Sequence, residues 1–155
     1  TSDAALLATL DDWLVPYLQH AAGRADLERL DVSMLLVNQF GWDQQMALAD
    51  LAPATLDTPS GRSAPIDYTR PHPTASVRVQ DLFGTREHPT VCRGRVPVTL
   101  ELLSPADRPI QITADLPSFW AGSWAEVRKE MAGRYPKHQW PIDPAAAPPK
   151  RLKDR

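Results

Sequence analysis

Three features of the sequence predict an α+β fold. Apolar residues recur at three- and four-residue steps in the first third, they alternate in the middle, and a tryptophan-rich amphipathic stretch follows. The reading is one domain over 1–144, with N-terminal helices over 1–53 and a small, mostly antiparallel sheet of hairpins plus a C-terminal amphipathic helix over 54–144. A flexible, proline-rich basic tail, 145–155, completes it. A length of 155 residues suits a single domain able to bury its own core. Sixteen prolines against seven glycines argue against long uninterrupted helices and central strands.

Leu6, Leu7, Leu10, Trp13, Leu14, Tyr17 and Leu18 form one apolar stripe, and Pro16 inside it predicts a kink or a restart near Asp11 or Asp12. Beyond Gly23, Leu27, Leu30, Leu35, Leu36 and Phe40 predict a second helical stretch, interrupted at Asp31 and ended by Gly41. A third helix, Trp42 to Leu51, is stopped by Pro53. Thr55 to Thr58 and Ser63 to Tyr68 flank Pro59 to Arg62 as a hairpin, with Ile66 and Tyr68 on its inner face. Ala75 to Gly84 mixes strand and helical spacing. Val96, Val98, Leu100 and Leu102 alternate as a strand that turns through Ser104 to Arg108 into a second, Ile110 to Thr113. Pro97 and Pro109 are expected at strand starts or edges. Asp115 opens the last helix, which carries Trp120, Trp124, Val127 and Met131 on one face and closes at Gly133.

Residues 1–58 hold two basic and nine acidic residues, whereas 117–155 hold eight and four, so the basic end is C-terminal. No glycine-rich run ends in Gly-Lys-Ser or Gly-Lys-Thr, no G-x-S-x-G or H-E-x-x-H occurs, and the four histidines are dispersed, so neither a phosphate cradle nor a metal site is expected. Cys92 is the only cysteine, which excludes an internal disulfide. With His88 four residues earlier it could be a nucleophile, though a lone cysteine more often acts as a small hydrophobe. No apolar stretch approaches the roughly 20 residues of a membrane helix; a cytoplasmic protein is expected.

One segment combines cations with rings. Arg128, Lys129, Arg134, Lys137 and His138 interleave with Tyr135 and Trp140, which offers charges to phosphates and rings to bases. The alternative is that Tyr135 and Trp140 fold the extended tail back onto the domain. No catalytic or cofactor-binding residue is picked out.

Several runs also resemble one known family. They are Gly94 to Ala106, Arg108 to Thr113, Asp115 to Trp120 and Trp124 to Pro144, the last containing V-R-K-E-M-x-G-R-Y-P-K-H-x-W-P. Together they closely resemble the C-terminal domain of bacterial HrpB-type, DEAH-box ATP-dependent RNA helicases. Leu10 to Leu18, Pro59 to Arg62 and Ile66 to Tyr68 look like earlier landmarks of that domain. The resemblance implies a non-catalytic accessory domain that assists RNA engagement or positions the motor; the alternative is a docking module that recruits the helicase to a protein partner. ATP and magnesium would be bound by the motor domains of the same polypeptide, whose catalytic motifs are missing here. The implied partners are RNA, those motor domains and, on the alternative, a further protein.

Overall fold

The structure, a computed structural model, describes residues 2–149. Lys150 to Arg155, most of the predicted basic tail, lie outside the described residues. The chain divides into two compact units, Thr1–Leu48 and Ala49–Arg155.

The first unit is made of short helices, several of them opened by a side-chain cap or a proline. Helix α1, Asp3–Ala8, starts at Ser2, whose hydroxyl accepts from the Ala5 amide at 3.3 Å. Helix α2, Leu10–Trp13, and α3, Val15–Leu18, follow. Pro16 sits in the first turn of α3, where no amide donor is needed. Trp13 is buried and donates its indole N–H to the Leu6 carbonyl at 3.0 Å. Helix α4, Arg24–Glu28, is separated from α5, Val32–Val37, by Asp31, whose carboxylate caps the Met34 amide. The stretch expected to run to Gly41 therefore ends four residues earlier. Gly41 instead opens α6, Trp42–Leu51, and Gln44 reaches back to the Gly41 amide as one half of a capping box.

The second unit holds a five-stranded sheet: β1 Thr55–Asp57, β2 Ser63–Asp67, β3 Thr74–Arg78, β6 Thr99–Leu103 and β7 Pro109–Thr113, in that spatial order. The hairpins β1–β2 and β6–β7 are antiparallel as expected, but the central pair β3–β6 is parallel. A parallel pair needs a crossover, and here it consists of a 3₁₀ turn over Val79–Leu82 and a small ribbon of β4 Thr90–Val91 and β5 Val96–Pro97. The strand expected through Val96–Leu102 is in fact two, because the chain changes partners at Val98: the first piece pairs with β4, the second with β3 and β7. Tyr68 lies past the end of β2, exposed, with its hydroxyl on the Pro53 carbonyl, so Ala64 and Ile66 form the inner face instead. At β7 a register shift between Leu102 and Leu103 separates Ile110, which packs on the core, from Ile112, which is exposed opposite Glu101.

The expected C-terminal helix is two: α7, Leu116–Ala121, and α8, Trp124–Arg134. Gly122 and Ser123 separate them, and Gly133 lies inside α8 rather than closing it. Asp115 caps α7 through the Ser118 amide and hydroxyl, and these bonds, the hydroxyl's first, lower its pKa. Leu116, Phe119 and Trp124 press on Val79, Val98, Leu100 and Leu102, all of them buried. Phe83, Phe119, Trp120, Trp124 and Trp140 form a chain of tilted and edge-to-face rings with centroids 5.2–6.3 Å apart.

Each indole N–H of that cluster donates to the carbonyl of a segment without regular structure. Trp120 holds Thr85 (3.1 Å), Trp124 holds Pro141 (3.0 Å) and Trp140 holds Tyr135 (2.9 Å). The chain beyond α8 is thereby laid back on the core. Pro144 is fully buried and its carbonyl accepts from the Gly84 amide. Gly84 has φ +88°, and a Cβ there would stand 3.2 Å from the Ala147 carbonyl oxygen, so both conformation and space call for glycine.

His88 joins the ribbon to α7. Its Nδ1 accepts from the Leu116 amide at 3.0 Å, so the ring proton is on Nε2, which donates to the Val98 carbonyl at 2.7 Å. Both nitrogens are occupied by backbone, and the imidazole cannot act as a base for Cys92. Replacing His88 with alanine leaves the buried Leu116 amide unsatisfied and is expected to cost about 1–3 kcal/mol. His88→Asn, whose side-chain oxygen can stand in for Nδ1, should recover part of that loss in a thermal melt; equal stability of wild type and His88→Ala would refute the bridge.

Candidate nucleic-acid interface

The predicted interface residues lie on the last turns of α8 and the segment after it, and Tyr135 is their hub. It ends α8 with its amide on the Met131 carbonyl at 2.7 Å, while its own carbonyl accepts from the His138 amide and the Trp140 indole. The His138 ring stands edge-on to the Tyr135 ring, with centroids 6.3 Å apart. Arg128 is half-buried and donates from Nε to the Trp140 carbonyl at 2.8 Å, so it orients the strap as well as carrying charge.

The remaining side chains are placed differently. The Trp140 ring is half-buried against Trp124. Arg134 is exposed and pairs with Glu130 one turn earlier at 3.0 Å, in the last turn of α8 where the helix dipole favours a cation. Lys129, Lys137 and His138 are exposed. Among the described residues neither Lys129 nor Lys137 has a carboxylate within ion-pair distance.

Four arginines elsewhere in the second unit, Arg62, Arg70, Arg78 and Arg93, are matched to carboxylates, while exposed Arg86, Arg95 and Arg108 have no ion pair among the described residues. Arg70 bridges Asp67 and Glu101, and Glu101 also accepts from the Ser76 hydroxyl at 2.6 Å; the Ser76 bond first, then Arg70, holds the Glu101 pKa below its ordinary value. Arg62 pairs with Asp81 and Arg93 with Asp50. Arg78 donates to both oxygens of Asp107 at 2.7 Å and thereby lowers that carboxyl's pKa. Asp67, Asp81, Glu101 and Asp107 around the sheet are thus each paired with an arginine.

One residue outside the predicted set belongs to the same neighbourhood. The β6–β7 turn is organised by the buried Ser104 hydroxyl, which accepts from the amides of Ala106 and Arg108 and lies 3.3 Å from the Tyr135 hydroxyl. The Arg108 amide and the Tyr135 hydroxyl thus meet at one atom, and Arg108 itself is exposed. The signal in the sequence was only a cation in a turn; its nearness to α8 is tertiary.

The described residues contain no group of three His, Cys, Asp or Glu side chains arranged to hold a metal ion, and no helix among them is long and apolar enough to cross a membrane.

Comparison with known proteins places this arrangement in a larger context. The "ATP-dependent RNA helicase HrpB" of Escherichia coli (strain K12) is 46% identical over 153 residues, which is 97% of this chain and 19% of the relative. A solved structure described as the E. coli DExH-box NTPase HrpB superposes with a TM-score of 0.91 at 44% identity, covering 99% of this chain and 19% of its own. Another, of the E. coli DEAH/RHA helicase HrpB, gives 0.72 at 42% identity, covering 90% of this chain and 18% of its own. The chain therefore spans about a fifth of the length of these relatives. Residues 13–144 match the family described as ATP-dependent helicase C-terminal, and the chain belongs to that HrpB C-terminal family.

Proposed function

We propose that this chain is a non-catalytic accessory domain that assists RNA engagement by an ATP-dependent helicase in the cytoplasm. The observation that carries the reading is the contrast in charge pairing. Arg62, Arg70 and Arg78 are tied to carboxylates, whereas Lys129 and Lys137 are exposed with no carboxylate in ion-pair distance among the described residues, and Lys137 adjoins His138 of the Tyr135–His138 ring pair. Free cations beside rings suit a phosphate backbone with exposed bases.

The residues present do not fit a nucleotide, since the chain lacks a glycine-rich phosphate loop and the described residues lack a carboxylate cluster for magnesium. ATP and magnesium are accordingly assigned to motor domains outside this chain. Anisotropy titration of labelled single-stranded RNA tests the reading: affinity should fall by an order of magnitude or more between roughly 50 and 200 mM salt if several phosphates are contacted. The purified chain should show no ATP turnover.

A second reading, docking to a protein partner, is favoured by the first unit. Its exposed surface includes Leu7, Met34, Trp42 and Met46, with Trp42 at 74% exposure. Binding that is indifferent to salt and lost in Trp42→Ala would favour this alternative.

A further inference from the structure

We infer that Arg108 is an additional phosphate-contacting residue, and that the β6–β7 turn and the end of α8 form one cationic surface for an RNA backbone. The inference rests on the RNA-engagement reading and extends it to an element the sequence pattern did not include. The Ser104 hydroxyl is the joint: it lies 3.2 Å from the Arg108 amide and 3.3 Å from the Tyr135 hydroxyl, so the turn and the ring are held by the same atom. Ser104 is itself buried, and its amide donates to the Arg108 carbonyl at 2.8 Å, which closes the turn and fixes where Arg108 leaves it.

Asp107 would ordinarily cancel its neighbour's charge. In this turn it adopts a left-handed conformation, φ +58°, and its carboxylate is gripped by Arg78 on β3 through two bonds of 2.7 Å. Arg108 is left exposed and, among the described residues, has no ion-pair partner. Its neighbour across the Ser104 joint is Tyr135, whose following residues bring Lys137 and His138. An exposed guanidinium with free donors, on a turn joined through Ser104 to the residue that ends α8, suits the phosphates of a single strand and does not read base identity.

The test is titration of the chain with labelled oligouridine and oligoadenosine across a salt series. Arg108→Ala should weaken both RNAs about three- to tenfold at low salt and reduce the slope of log affinity against log salt by about 1. Arg108→Lys should retain most of the affinity, and melting temperatures should match wild type. If Arg108→Ala binds as wild type with an unchanged slope while charge reversal at Arg134 and Lys137 weakens binding, the inference about Arg108 is overturned and the RNA reading stands. If neither variant changes binding, the RNA-engagement reading itself fails.

Discussion

Trp124→Ala is expected to lower the stability of the second unit by about 3–5 kcal/mol, the range for truncating a large buried aromatic. For a chain of this length that corresponds to a melting temperature lower by roughly 10 °C or more. Trp124 is 1% exposed and contacts Phe83, Phe119, Trp120 and Trp140, each ring centroid within 6.2 Å. Its loss opens a cavity between α7, α8 and the segment after α8. It also removes the donor for the Pro141 carbonyl and so loosens the strap that carries Lys137 and His138. Near-ultraviolet circular dichroism should lose intensity along with the thermal shift, because the indoles are coupled by packing. Ile142→Ala, at 82% exposure, is the control and should stay within about 0.5 kcal/mol of wild type. Equal melting of the two variants would show that the ring cluster is not the keystone argued for it.

Periodicity made some of this fold legible, and its failures have a common cause. Trp42–Leu51 and the Pro59–Arg62 hairpin were readable because a helix between Gly41 and Pro53, or two strands around a Gly61 turn, is specified by neighbours in the chain. The change of partner at Val98 was not, because Val96, Val98, Leu100 and Leu102 keep alternating while the ladder hands over from β4 to β3 and β7. The same holds at Gly122–Ser123. Trp120 and Trp124 keep helical spacing across a break, so the pattern shows one face where the backbone makes two helices. Parallel pairing of β3 with β6 joins residues about 25 positions apart, and no local signal encodes it. In the candidate interface the cations and rings were visible as a run, but sequence spacing cannot say that Trp140 leans on Trp124, that Arg134 pairs with Glu130, or that Ser104 joins Arg108 to Tyr135.

Reversing the charge of Arg134 and Lys137 together, as Arg134→Glu/Lys137→Glu, is expected to weaken RNA binding by about ten- to a hundredfold at low salt, since two attractions become two repulsions at the phosphates. Both side chains are exposed, and the only described pairing at stake is Arg134–Glu130, a surface i,i+4 pair of the kind worth about 0.3–0.5 kcal/mol. Losing that pair, setting two glutamates at i and i+4 and putting an acid at the helix C-terminus should each cost a few tenths of a kcal/mol, so the melting temperature should fall by only a few degrees, well short of Trp124→Ala. Oligouridine and oligoadenosine should weaken in parallel, because phosphate contacts carry no base information. Tyr135→Phe supplies the complementary probe. It keeps the ring beside His138 and the turn's own Ser104–Arg108 bonds but removes the hydroxyl that meets Ser104, so any loss of affinity in it reports on the link between the turn and α8 and not on stacking. Near-wild-type affinity in the doubly reversed chain, with folding unchanged, would take the nucleic-acid role away from the end of α8.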